Sequence, residues 1–393
     1  MRRNIVVVTA LSVISLLVNN IIYAQTDSAP PGVIINHIPK SAGIYVGSPS
    51  ICILPNGDYV ASHDEFGPNS SEWQSARTRI YISADKGINW KQTALIDGQF
   101  WSNLFYHKSA LYIMGTNKHH GNLIIRKSDD NGKTWTIPFD SQSGLLLEGE
   151  YHTAPVPMLI HNGRIWRAVE YATAKSSKWG ERYSATMISA PVNADLLCAK
   201  NWRRSNSLYF NAAYLNGNFK AWLEGNAVLA KNGKIANILR VHAPDIKDEY
   251  CAVVFVEKGG KRLSFQQKDF YKMPGASKKF TIRYDIISNK YWSIVNYIQD
   301  RNIDVQNDRL RNCIALVSSS DLKEWTVNEI LMAHHDHLKH GFQYIDWQFD
   351  GNNIVYVSRT AYDDDEGGAA NYHNANYLTF NFVKDFRKSR HLR

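Results

Sequence analysis

The chain has 393 residues and a formal net charge of +9, which falls to +7 once Arg2 and Arg3 of the leader are removed. Apart from the tail Lys384 to Arg393 there is no dense Lys/Arg block, which excludes a nucleic-acid partner, and a moderately basic surface suits an anionic partner such as an acidic glycan. Aromatic residues make up 12% of the chain, with 11 Trp and 21 Tyr, a supply that serves sugar stacking and a β-rich core equally well.

The N-terminus reads as an export signal. Met1-Arg-Arg-Asn4 is followed by an apolar run from Ile5 to Val18 and by a small residue at Ala24. That order predicts a signal peptide over 1–24 and a secreted or periplasmic protein over 25–393. The run is too short to span a bilayer comfortably, and no second apolar stretch comes closer, so no membrane span is expected. Cys52, Cys198, Cys251 and Cys313 stand far apart in apolar runs, equally compatible with buried thiols and with disulfides, and form no metal pattern.

After Ala29-Pro30-Pro31 comes a short candidate strand, Val33-Ile34-Ile35. Six hairpins follow, spaced by about 50 to 70 residues. Their turns are Asn56-Gly57, Lys108-Ser109, Asn162-Gly163, Asn232-Gly233, Ser288-Asn289 and Asp350-Gly351. Asn-Gly between alternating apolar runs is a strong hairpin signal. Most hairpins are followed by a second strand pair, and no segment has sustained helical periodicity. Four-stranded antiparallel units repeated in this way predict an all-β fold, a single β-propeller. Six blades are favoured and seven are allowed. Val33–Ile35 is expected to complete the last blade and close the ring.

Two octapeptides 45 residues apart, Ser83-Ala-Asp85-Lys-Gly87-Ile-Asn-Trp90 and Ser128-Asp-Asp130-Asn-Gly132-Lys-Thr-Trp135, share the pattern Ser-x-Asp-x-Gly-x-x-Trp. The Asp can cap its own turn, the Gly can adopt a positive φ, and the Trp can plug the space between layers. Degraded copies run from Asp195 to Trp202 and from Ser320 to Trp325. These octapeptides resemble the Asp box (BNR repeat) of the sialidase-like β-propellers. In that family they are structural staples at outer turns.

Propeller topology brings the start of each inner strand and the end of the second strand to one face around the axis. His63, Asp64, Trp101, His120, His152, Glu170, Trp222, Glu224, Arg240, Arg283, Tyr344, Arg359 and Tyr362 occupy such places. The hairpin interiors between them are Ile, Leu, Val and Ala, so a carved axial pocket is expected. Asp64, Glu170 and Glu224 can supply an acid/base pair, and His63, His120 and His152 are candidate catalytic imidazoles. Arg240, Arg283 and Arg359 can clamp a carboxylate. Trp101 and Trp222 can stack sugars, with Tyr344 and Tyr362 beside them. The run Asp363 to Gly368 reads as an acidic loop or lid without the ligand spacing of an EF-hand. No metal or cofactor is expected, and a monomer is.

The resemblance to the exported bacterial sialidase-like propellers covers most of the chain after the leader. It implies three arginines on a substrate carboxylate, an acidic general acid and a Tyr/Glu nucleophile pair. The Arg-Ile-Pro motif of those enzymes is replaced here by Gly47-Ser48-Pro49-Ser50-Ile51. Three stretches, Ser62 to Pro68, Tyr151 to Pro155 and Ser358 to Tyr362, are more distantly similar to the propeller α-L-rhamnosidases. Three functions are consistent with these residues. The favoured one is a secreted exo-glycosidase acting on a uronate- or sialate-containing glycan. The others are a polysaccharide lyase on a uronate-containing glycan and a non-catalytic glycan-binding propeller.

Overall fold

A computed structural model describes residues 29–172 and 174–388, so the expected leader lies outside the described residues. Six antiparallel sheets surround a common axis. Blade one comprises Tyr45–Ile53, Tyr59–Phe66, Arg77–Ser83 and Lys91–Asp97; blade two, Phe100–His107, Ala110–Thr116, Leu123–Ser128 and Leu145–Leu147. In blade three, Tyr151–His152 and Leu159–His161 both pair with Arg164–Tyr171, followed by Ser184–Pro191 and Arg203–Arg204. Blade four runs from Ala221–Leu229 through Ile235–His242 and Tyr250–Glu257 to Arg262–Ser264, with Phe270–Lys272 beside the third strand. Blade five is Thr281–Asp285, Lys290–Asn296, Cys313–Ser319 and Trp325–Ala333. Blade six, Gly341–Asp350, Asn353–Ala361 and Tyr377–Val383, takes its outer strand from Val33–His37. Joining the two ends of the chain in one sheet closes the ring and removes an exposed strand edge.

The hairpin turns take the backbone that their residues favour. Asn162 and Gly163 have φ of 47° and 68°, and Asn289 has 55°, the left-handed geometry of a tight hairpin. At the two octapeptides, Gly87 N–H donates to Ser83 Oγ at 2.9 Å and Gly132 N–H to Ser128 Oγ at 2.8 Å. The indoles of Trp90 and Trp135 donate to the carbonyls of Gly87 and Gly132. Leu322, at φ 69°, replaces the glycine in a third, shorter version, donating to Ser319 Oγ at 2.9 Å. All three turns lie at the face opposite the inner-strand starts, because each follows a third strand. Trp90 packs with blades one and six, and Trp135 with blades one and two.

Apolar side chains fill the spaces between blades. The cluster of Trp166, Met187, Phe219, Trp222, Leu239 and Phe270 joins blades three and four. Around the axis a belt of polar side chains links neighbouring inner strands. Ser50 Oγ donates to Asp346 Oδ2 at 2.7 Å and accepts from Leu104 N–H at 3.0 Å. Arg167 Nε donates to Asn103 Oδ1 at 2.7 Å, and Ile282 N–H to Asn226 Oδ1 at 3.0 Å. All four cysteines are free thiols and buried. Among the described residues no helix is long and apolar enough to cross a membrane.

Candidate active site

Four inner strands are interrupted at the same place. The pairing shifts between Val46 and Pro49, Phe100 and Asn103, Leu223 and Asn226, and Gln343 and Asp346. Such a bulge bends the strand and re-aims a side chain. The first extra residue is Trp101, Glu224 or Tyr344 in three of them, at φ 48°, 51° and 55°. Non-glycine residues in that region each carry about 1–3 kcal/mol of strain, which collects at functional sites. Blade one has Gly47 there, where a Cβ would lie 2.5 Å from the Asp64 carbonyl oxygen.

Glu224 and Tyr344 meet across the axis. The Glu224 carboxylate is buried and accepts from Arg240 Nη1 at 2.9 Å. Burial alone would raise its pKa, but the Arg240 guanidinium and the hydrogen bond it donates bring it below the ordinary value. Burial, and then the Glu224 charge, push the Tyr344 phenol up, against the pull of Arg240, Arg311 and Arg359.

Three arginines from three blades therefore surround Tyr344. Arg359 lies over the Tyr344 ring at 5.2 Å and the Phe66 ring at 4.4 Å. It donates to the His373 carbonyl, and its buried Nε has no hydrogen-bond partner. Arg311 is 5.7 Å from the Tyr344 ring and donates to Gln343 Oε1 at 2.6 Å. Burial and the charges of the same three arginines hold the His373 imidazole well below its ordinary pKa. Among the described residues only Arg240 of the three is ion-paired.

Asp64 stands on the same rim. Its Oδ2 accepts the Trp101 backbone N–H at 3.0 Å. Burial nevertheless pushes its carboxyl up to about 7, despite that bond, the Arg359 charge and the Ser48 N–H. Asp64 and Glu224 both act electrostatically on Arg359. Two carboxyl groups with pKa values driven apart form an acid/base assignment in outline.

An aromatic and imidazole wall completes the cleft. His152 Nδ1 lies 3.0 Å from Glu170 Oε2, and its ring lies 4.7 Å from Trp101 and 4.8 Å from Tyr183. His120 Nε2 is 2.8 Å from the Tyr183 hydroxyl. Burial lowers His119 to about 4 and His120 to about 3, so both imidazoles are neutral at neutral pH. Trp73 stacks on His119 at 3.8 Å and Trp179 meets Tyr183 edge-on at 5.6 Å. These two indoles are 60% and 56% exposed, and flank the wall as open plates.

The structure thus gathers Asp64, Trp101, His120, His152, Glu224, Arg240, Tyr344 and Arg359. It assigns other expected residues elsewhere. His63 is fully buried between Asn36, the Asp64 carbonyl and the Tyr81 ring, and reaches no cleft. Trp222 is fully buried among Phe219, Phe265 and Phe270 and has no free face for a sugar. Glu170 is buried with both oxygens engaged, by His152 and by the Gly225 N–H at 3.1 Å, so it braces the Glu224 bulge. Tyr362 packs against His334, His340 and Phe342 in the core of blade six. Arg283 lies further along the axis, bonded to the Trp347 carbonyl at 2.6 Å. The acidic loop is tied down: Asp364 bonds His37, Asn376 and the Gly368 N–H. Arg311, Trp73, Trp179 and Tyr183 were not singled out from the sequence. Arg311 precedes the third strand of blade five, and third-strand starts share the site face with second-strand ends.

These features define a sialidase-like, six-bladed β-propeller with an acidic pair, a tyrosine and three arginines at the axis. Solved structures agree on the fold. The α-L-arabinanase of Penicillium chrysogenum, solved with arabinobiose, has a TM-score of 0.58 at 13% identity, covering 91% of this chain and 98% of its own. A Hadza microbial sialidase, Hz136, has a TM-score of 0.58 at 13% identity, covering 90% and 68%. The leech intramolecular trans-sialidase has a TM-score of 0.56 at 10% identity, covering 92% and 71%. No protein-family model matches the sequence, and no curated protein matches it.

Proposed function

We propose that this protein is an exported, exo-acting glycoside hydrolase that removes a carboxylate-bearing terminal sugar from a glycan. The observation that carries the reading is Tyr344 beside the buried Glu224 carboxylate, inside a ring of three arginines. Arg311 and Arg359 stand at the cleft without a carboxylate partner among the described residues, so an anionic substrate would neutralise charge already in place. Arg359 comes from blade six and lies over Phe66 of blade one, on the blade whose inner strand has Gly47 to Ile51 in place of an Arg-Ile-Pro motif. The solved neighbours that act on arabinose polymers or sialic acid support a glycosidase of this shape.

The chemistry follows from the protonation states. The Tyr344 oxygen attacks the anomeric carbon while its proton passes to Glu224. Protonated Asp64 donates to the departing glycosidic oxygen, which leaves as an alcohol. Water, deprotonated by the Asp64 carboxylate, then attacks the anomeric carbon of the glycosyl-tyrosine, and Glu224 returns its proton to Tyr344. The outcome is retention, as for other covalent glycosyl-enzymes.

The test is incubation of the purified protein with sialylated, glucuronate-capped and pectic glycans. Release of a saturated acidic monosaccharide, abolished in Tyr344→Phe, is expected. An ultraviolet-absorbing unsaturated uronate would replace this reading with a lyase. Binding without any product would leave a lectin-like propeller.

A further inference from the structure

The axis holds a second cavity, at the end away from Glu224. Its volume is about 200 Å³, and Cys52, Asn103, Arg283, Asp346 and Gln348 line it together with Met158 and Ile160. These residues belong to the far parts of the inner strands and to the segment that crosses blade three, whereas Glu224 and Tyr344 sit at inner-strand starts.

The polar groups here have a specific imbalance. Arg283 Nε donates to the Trp347 carbonyl at 2.6 Å, and its Nη2 is 3.6 Å from Asp346 Oδ1. That aspartate is already occupied by Ser50 Oγ, the Ile51 N–H and the Trp347 N–H, so it offers the guanidinium only a long contact. The Arg283 side chain remains 23% exposed. Asn103 is 3% exposed, and its Oδ1 is taken by Arg167. Its Nδ2 is buried with no hydrogen-bond partner, and an unmade bond of this kind costs about 1–3 kcal/mol. Gln348 is spent on the backbone of Ile51 and Ile53. Burial pushes the Cys52 thiol up to about 12, so it adds no negative charge.

The cavity therefore presents a cation and an unpaired amide donor beside Asp346 and Gln348, whose polar atoms are already bonded, with apolar side chains around them. Ile160, at its edge, is 58% exposed. A carboxylate accepts hydrogen bonds and donates none, which matches the donors left unmet. A cavity of ~150 Å³ takes up a benzene ring, so the space here accommodates a one-ring body with a carboxylate attached. We infer that this cavity is a second binding site, separate from the Glu224 cleft, for a small monocarboxylate with an apolar body.

Benzoate is the probe, with benzamide as its neutral counterpart, titrated calorimetrically into the whole protein. Saturable binding of one benzoate is expected, with benzamide at least tenfold weaker. Arg283→Gln weakens benzoate at least tenfold. Met158→Trp fills the space while keeping Arg283 itself and has the same effect, which keeps the test valid if Arg283→Gln does not fold. Arg311→Gln, in the other cleft, leaves the affinity within twofold. Absence of saturable binding, equal affinity in Met158→Trp and the unaltered protein, or loss of binding in Arg311→Gln would each overturn the inference.

Discussion

Replacing Asp64 with Asn tests the acid at the cleft without knowledge of the substrate. Burial raises this carboxyl from its ordinary 3.8 to about 7, which corresponds to about 4 kcal/mol of extra cost for the ionised form. The sign follows from linkage. The folded protein binds a proton at Asp64 that the unfolded chain has released, so between about pH 4 and pH 7 stability falls as pH rises. Asparagine keeps a carbonyl for the Trp101 N–H and never ionises. The variant should gain stability relative to the unaltered protein as pH rises through this window, by up to about 4 kcal/mol above pH 7. Urea unfolding at pH 4, 6 and 8 measures the difference. Turnover supplies a second reading: loss of a general acid costs about 10² to 10⁴ in rate, less for a leaving group that needs no proton. In the unaltered enzyme the rate should fall as pH rises past about 7, and that limb should vanish in Asp64→Asn. A stability difference constant across pH would refute the assignment of a raised carboxyl.

Other substitutions separate structure from chemistry. Glu224→Ala leaves the buried Arg240 without its partner and should cost about 3–5 kcal/mol, whereas Glu224→Met with Arg240→Met should restore most of the melting temperature while leaving no activity. Trp73→Ala and Trp179→Ala, at exposed plates, should raise KM several-fold for oligosaccharides and leave KM for a small aryl glycoside unchanged; equal effects on both substrates would remove them from aglycone binding. Gly47→Ala places a methyl group 2.5 Å from the Asp64 carbonyl and should destabilise by about 1–3 kcal/mol, detectable as a lower melting temperature. Lys279→Met removes the donor that reaches the Ile345 carbonyl at 2.6 Å beneath Tyr344, and should lower kcat at least tenfold with KM little changed; an unaltered kcat would mean that the Tyr344 bulge is held by the backbone alone.

The sequence carries the architecture plainly because each blade repeats the same local devices. Asn-Gly turns, alternating strands and the Ser-x-Asp-x-Gly-x-x-Trp turns act within a few residues, and closure by Val33–His37 follows once the last blade lacks a strand. The site is legible only in part. Strand-end reasoning finds Asp64, Glu224, Arg240, Tyr344 and Arg359 because ends converge whatever the side-chain register. It misplaces His63 and Trp222 for the opposite reason: side chains on a strand alternate between faces, so His63 turns away from the cleft that its neighbour Asp64 meets. The bulge at Glu224, like those at Gly47, Trp101 and Tyr344, shifts the alternation by one residue, leaving Trp222 in the core. Nothing in the local sequence marks those bulges, since Leu223-Glu224-Gly225 reads as ordinary strand. Arg283 fails because it stands level with Trp347, three residues along the inner strand from Tyr344, and so beyond the cleft. Arg311 escapes because it lies in a loop that reaches the axis only through the sheet it precedes.

The bulges also explain why the reactive groups stand on strands rather than loops. A regular inner strand would turn Trp101, Glu224 and Tyr344 toward neighbouring blades or leave them flat along the axis. The left-handed residue lifts each side chain into the cleft, at about 1–3 kcal/mol of backbone strain apiece. Immediately beyond each bulge comes a belt residue, Asn103, Asn226 or Asp346, whose hydrogen bonds reach the next blade. Each such buried bond contributes about 0.5–1.5 kcal/mol, and more where a charge takes part. The belt is therefore of the right size to offset the strain beside it. It also fixes the distance between blades at the height where Glu224 must meet Tyr344. Glu224 and Tyr344 come from blades four and six, with blade five between them, so the spacing of three inner strands sets their geometry. Blade five has no bulge; instead Lys279 extends across to the Ile345 carbonyl. Blade five thus places no inner-strand bulge residue in the cleft and braces the strand that carries Tyr344.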